Sequence, residues 1–236
     1  MGRAFEIRRG AKEKRWDKMS KLFPKLATSI TMAAKEGGDD PESNAKLRAA
    51  IATAKAENMP KDNITKAIER ATAKDMANFA EVNYEGKGPH GVLFWVECAT
   101  DNNTRTFSNI RTIFNKSGGG LMNSGGLEFM FTRKAVVQFK KTEGLDLDEV
   151  ELALIDHGLE ELDADGDEVI AYGEFTSFGR LSKACEDLEL EVTKAKTERI
   201  ANQPAEFTDA QIDEAMEMID KLEDDADVMS VYTNIA

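Results

Sequence analysis

The spacing of apolar residues changes period near residue 72, and that switch limits the chain to a helical front followed by mixed sheet and helix. Leu22, Leu26, Ile30 and Ala33 or Ala34, then Leu47, Ala50, Ile51 and Ala54, then Ile64, Ala67 and Ile68 recur at steps of three and four. Beyond the polar linker "AKDMANFAE" the runs "EVNY" and "VLFWVECA" are rich in β-branched and aromatic residues, as strands are. Pro24 opens or kinks the first helix, and Gly37-Gly38 ends it. Asp39 or Asp40 is expected to cap the second helix with Pro41 at its first position, and Pro60 to open the third. Short turns between them predict a small bundle closing around Thr72. Its last two helices meet as in a helix-turn-helix.

Between the two strand runs lies Gly86-Lys87-Gly88-Pro89-His90-Gly91, which fits the G-x-G-x-x-G spacing of dinucleotide-binding loops. That fingerprint requires a helix whose N-terminus meets the pyrophosphate. Here the glycines lead into a strand, and Pro89 suits a turn. The expectation is a hairpin loop and no cofactor.

"DNNTRTFSNIRTIFNKSGG" reads as a helix capped by Asn103 or a neighbour, with Phe107, Ile110, Ile113 and Phe114 inward and Gly118 to Gly120 at its end. A glycine-rich loop then leads to a strand, "LEFMF". Residues 134–200 follow the order β-α-β-β-α-β, the ferredoxin-like split unit. Thr208 and Gln211 form a capping-box pair before a last helix, and "VMSVYT" closes the chain as a strand. In "DADGDE", Asp163, Asp165 and Asp167 alternate as in a calcium loop. The position that must be glycine is Glu168, so an acidic hairpin turn is expected.

The net charge is −13, which taken alone speaks against nucleic acid. Its distribution reverses that inference. Residues 1–142 hold 25 basic and 16 acidic residues, a balance of +9, and residues 143–236 hold 6 and 28, a balance of −22. The front can touch phosphate while the back cannot. No run approaches the roughly 20 apolar residues of a membrane span, and the basic amino terminus lacks the apolar core of a secretory signal. Cytoplasm is the expected compartment. Cys98 and Cys185 read as small buried thiols. His90 and His157 have no Cys or Asp at metal-ligand spacing, so no metal is expected.

Two long stretches carry a family resemblance. "LATSITMAAKEGGDDPESNAKLRAAIATAKAENMPKDNITKAIERA" is similar to the first-domain signature of the YebC family, and "YEGKGPHGVLFWVECATDNNTRTFSNIRTIFNKSGG" to its second motif. The relatives of that family include the mitochondrial translational activator of cytochrome oxidase. The chain departs from the common "AGHSKW" opening, with "GRAFEIRR" in its place and Trp16 further on. The resemblance implies an α+β protein of three domains: an N-terminal helical bundle followed by two ferredoxin-like α/β domains, the third inserted into the second. The expected limits are a basic arm over 1–21, a helical domain over 22–77, a middle domain over 78–133 plus 205–236, and an inserted domain over 134–204. The resemblance implies DNA-binding transcriptional regulation, or translation factor activity at the ribosome or on messenger RNA, and brings no catalytic residues.

From the residues themselves, no nucleophile stands with a paired base, and an enzyme is not expected. The expected partner is nucleic acid, either DNA or ribosomal or messenger RNA, with no membrane. An alternative is an interaction module whose acidic rear binds a basic protein partner. Candidate phosphate contacts on the arm are Arg8, Arg9, Lys12, Lys14, Arg15, Lys18 and Lys21. The second and third helices add Lys46, Arg48, Lys55, Lys61, Lys66 and Arg70, and the middle-domain helix adds Arg105 and Arg111.

Overall fold

A computed structural model describes residues 15–72, 79–142 and 144–236, of which 15–21, 56 and 72 are described by backbone alone. The described chain forms two compact units. One comprises residues 15–25, 79–132 and 199–236, the other residues 26–72, 133–142 and 144–198.

The second unit holds most of the helical front. Helix α1 (Arg15–Gly37) begins well before Leu22, so the segment expected as an arm is helical from Arg15, and Pro24 lies inside the helix. Helix α2 spans Ala45–Ala56 and α3 spans Lys61–Thr72. The cap of α2 is Asn44, neither Asp39 nor Asp40, and Pro41 stays in the preceding turn. The Asp40 carboxylate instead accepts the Glu42 N–H at 3.1 Å, a local turn that competes with helix. The buried Asn44 side chain accepts the Leu47 N–H at 3.1 Å and donates to the carbonyls of Ala33 and Gly38, both at 2.8 Å. One amide therefore ends α1 and starts α2. Thr31 ties α1 to α3 through the Ala67 carbonyl at 2.7 Å.

The same unit contains a four-stranded sheet of order β5-β6-β4-β7, from β4 (Phe131–Lys140), β5 (Leu159–Asp165), β6 (Glu168–Glu174) and β7 (Val192–Ala201). Helices α5 (Leu147–Ile155) and α6 (Phe178–Asp187) supply Val150, Leu154, Leu181 and Cys185 to its core. Ala49 of α2 packs into that core as well, so α2 is buried on more than one side, which a single stripe in the sequence does not announce. "DADGDE" is the β5–β6 turn, with Gly166 at φ 59°; among the described residues no acidic group could hold a metal ion.

The first unit is built on the sheet β3-β1-β2-β8: β1 (Ala80–Lys87), β2 (Leu93–Thr100), β3 (Gly120–Leu121) and β8 (Val228–Thr233). All three of its pairings are antiparallel. Helices α4 (Asn103–Lys116) and α7 (Asp209–Glu223) cover the face that carries Phe94, Val96 and Cys98, contributing Ile110, Phe114, Ile219 and Leu222. This sheet has the same two-layer build as the other, but the chain enters it by a hairpin. "GKGPHG" forms that hairpin: Gly88 N–H meets the Val92 carbonyl at 2.8 Å and His90 stands at φ 56°. On the opposite face Trp95 packs with Leu127, Phe131 and Tyr232.

"LEFMF" is not wholly strand. Residues Glu128–Met130 form a 3-10 turn, and β4 starts at Phe131. The cause is Glu85, a buried carboxylate that accepts the Gly125 N–H at 2.7 Å and the Leu127 N–H at 2.5 Å and so bends the loop back onto β1.

Two outcomes follow from this packing. A Cβ on Gly119 would lie 2.2 Å from the Lys87 carbonyl oxygen and 2.9 Å from the Gly88 Cα, backbone atoms that cannot swing away. Gly119→Ala should lose about 1–3 kcal/mol in denaturant melts, while Gly120→Ala, with open space around its Cβ, should stay near the parent. Burial pushes the thiols of Cys98 and Cys185 up to about 12, and the Tyr84 phenol to about 12. All three hold their protons more tightly folded than unfolded. Their contribution to stability is complete below the ordinary thiol and phenol values and is lost as pH rises toward the folded ones. Melting temperature should fall above pH 9, and a thiol reagent should modify neither cysteine at neutral pH without denaturant.

Candidate nucleic-acid interface

The helices of the second unit bring together four of the basic residues singled out from sequence. Lys55 near the end of α2 and Lys61, Lys66 and Arg70 along α3 are exposed, and none has an ion pair among the described residues. Lys66 and Arg70 stand one turn apart on the same face, four residues being about one turn. Unpaired like charges at that spacing oppose folding slightly and favour a bound anion. The tight α2–α3 junction is capped by Pro60, whose carbonyl accepts the Asn63 N–H at 2.9 Å. The exposed face of α3 also carries Asp62, Thr65 and Glu69, while Asn63 is half-buried. Two carboxylates among three cations make this a poor surface to insert along a duplex groove.

Other candidates have different surroundings. Lys46 is exposed and paired with Glu36 at 2.6 Å, a surface contact of small strength. Arg48 is half-buried: it donates to the Pro41 carbonyl at 3.0 Å and lies 3.6 Å from Glu186. Its charge is used inside the unit. Arg8, Arg9, Lys12 and Lys14 lie outside the described residues, as do the side chains of Arg15, Lys18 and Lys21, which sit on the first turns of α1. Lys25, further along α1, is turned inward to the Glu223 carbonyl at 2.5 Å; burial lowers its pKa.

In the first unit Arg105 and Arg111 part company. Asp227 is buried and receives Arg105 through Nε at 3.2 Å and Nη2 at 2.8 Å, and Asp101 takes Nη2 at 2.8 Å. The hydrogen bonds to Asp227 and Asp101 raise the guanidinium pKa, and the charge is neutralised where it stands. Arg105 is thus held by two carboxylates of its own unit. Arg111 is exposed with no ion pair among the described residues, and so is Lys116 on the same helix, a cation outside the set expected from sequence. Phe107, expected inward, is 43% exposed. Tyr84 from β1 occupies the core position beneath it, with ring centroids 6.2 Å apart.

Helices leading into two antiparallel sheets, the first of which is completed only by the last strand, together with the motifs around "YEGKGPHG", define a recognisable class of α+β protein. The chain belongs to the TACO1/YebC family: residues 3–74 match the TACO1/YebC protein N-terminal domain and residues 79–235 match the TACO1/YebC second and third domain. It is 60% identical to a "Probable transcriptional regulatory protein" of Wolinella succinogenes, and 57% identical to proteins of that description from Sulfurovum sp. and Campylobacter jejuni, in each case over 100% of both chains. The crystal structure of a conserved hypothetical protein from Aquifex aeolicus, 31% identical, superposes with a TM-score of 0.82 over 94% of this chain and 92% of that one. Among the described residues no helix is long and apolar enough to cross a membrane.

The two arginines of α4 should separate in experiment. Arg105→Ala is expected to lower the melting temperature and leave the salt dependence of nucleic-acid binding unchanged. Arg111→Ala should do the reverse, flattening log K against log salt by roughly 0.7–0.9.

Proposed function

We propose that this protein is a nucleic-acid-binding regulator of gene expression that holds phosphates with Lys55, Lys61, Lys66 and Arg70, extended by the basic residues Arg8, Arg9, Lys12, Lys14, Arg15, Lys18 and Lys21. The observation that carries the reading is the group of exposed cations on α2 and α3 with no ion pair among the described residues, in a chain whose net charge of −13 would otherwise keep polyanions away. The names of its relatives, probable transcriptional regulatory proteins, point the same way. No chemistry of bond breaking enters the reading, and cytoplasm is its compartment. The carboxylates of α7, with Asp213, Glu214, Glu217 and Asp220 exposed, supply a like-charge surface that turns away misplaced phosphates and so favours selectivity over strength.

Fluorescence titration of the full chain with labelled DNA and RNA at several salt concentrations tests the proposal. Lys66→Glu with Arg70→Glu should weaken binding most at low salt and flatten the salt slope by roughly 0.7–0.9 for each phosphate no longer neutralised. Replacing Arg8, Arg9, Lys12 and Lys14 by Gln should flatten it further. Binding unaltered by either set would reject the basic front as the interface.

A further inference from the structure

A cleft of about 440 Å³ opens in the first unit, lined by Val82, Asn83 and Tyr84 of β1, Asn103, Thr104 and Phe107 of α4, and Ser124 of the glycine-rich loop. Its size lies in the range of small-molecule sites. The Asn103, Thr104 and Ser124 side chains around it are exposed. Tyr84 donates its hydroxyl to Asn103 Oδ1 at 2.6 Å, which turns the Asn103 NH2 outward with no partner among the described residues. The Thr104 and Ser124 hydroxyls likewise have no side-chain hydrogen-bond partner among those residues. Between them lies the exposed ring of Phe107, steadied from below by Tyr84. One turn along α4 is Arg111, exposed and with no ion pair among the described residues.

Those features fit one kind of ligand. A planar aromatic ring with one open face stacks on any nucleobase, and this interaction does not depend on sequence. Primary amides and hydroxyls match the donors and acceptors on a base edge, which in a duplex are already taken. A cation about one helical turn away matches the phosphate that follows. An apolar peptide would leave the Asn103 amide unpaired, and an anion alone would not use the ring. The loop wall is rigid rather than loose, because Glu85 holds the Gly125 and Leu127 N–H groups directly after Ser124.

We propose that this cleft takes one unpaired nucleobase, stacked on Phe107 and read at its edge by Asn103 and Thr104, with Arg111 on the adjoining phosphate. The proposal rests on the nucleic-acid reading above and deepens it: the target contains a single-stranded segment or a flipped-out base. The geometry sets no preference between an RNA and a DNA strand.

The test uses the full chain and labelled oligonucleotides: a uridine-rich RNA octamer, its DNA counterpart, an abasic strand of equal length and charge, and a duplex. Parent protein should prefer the base-bearing single strands to the duplex and the abasic strand. Phe107→Ala should weaken binding to those single strands roughly five- to a hundred-fold, the range for loss of one stacked base. It should leave the abasic strand unchanged, and Phe107→Trp should restore affinity. Because Phe107 is exposed, the Ala variant should melt near the parent; Thr104→Ala, at another exposed residue of the cleft, is the second probe and should also weaken only base-bearing strands. Equal affinity of Phe107→Ala and parent for the base-bearing strands, with Lys66→Glu weakening both, would overturn the cleft and leave the phosphate surface standing. If the parent binds none of these strands at low salt, both the cleft and the broader reading are wrong.

Discussion

The first unit depends on the carboxylate of Asp227. It lies just before β8, is almost fully buried, and receives Arg105, the Thr106 hydroxyl at 2.7 Å and the Thr100 hydroxyl at 3.3 Å. Through these contacts the end of β2, the first turn of α4 and the start of β8 meet at one point. Removing one member of such a group leaves others buried without partners, at about 1–3 kcal/mol each. The Asn102 cap on α4 and the pairing of β8 with β2 both sit beside that point, as does the α4 face that carries Asn103, Phe107 and Arg111. A structural ion pair at one end of a helix therefore sets the direction of the residues proposed to meet ligand.

Much of this architecture was legible from local signals. The change of apolar period near residue 72, the capping-box pair at Thr208 and Gln211, and the hairpin at "GKGPHG" all depend on neighbours within a few residues. What was not legible depends on distant partners. Asp101, four residues before Arg105, is a local partner, but nothing nearby announces the second carboxylate, Asp227, 122 positions away. Phe107 has the spacing of a core residue, and only the approach of Tyr84 from another element leaves it at the surface. The bend in "LEFMF" comes from Glu85, 42 residues earlier, and Asn44 displaced the expected caps because Asp40 satisfies its own turn first.

The charge pattern shows the same division between what composition can and cannot say. Summed over the chain, acids win. Resolved along it, the helical front is basic, and in the structure only part of that excess remains open. Among the described residues Arg48 and Arg105 are committed to internal partners and Lys25 to a carbonyl, so fewer of the basic side chains stand open than their number suggests. Counting basic residues overstates a binding surface; asking which of them already have a partner narrows it to a handful of positions that can be tested one at a time.

The late pairing of β2 has a consequence for how the protein is made. Thr100 and its partner Asp227 are 127 residues apart, so a nascent chain displays β2, with Phe94, Trp95 and Val96, long before β8 is available to cover its free edge. An exposed apolar strand edge invites pairing with other chains. Within that interval the whole β4–β7 sheet is synthesised and can close on itself, since its strands lie between residues 131 and 201. Vectorial synthesis thus finishes the inserted sheet first and leaves its host waiting with an open seam, which makes β2 the place where a slow ribosome or a scarce chaperone would be felt.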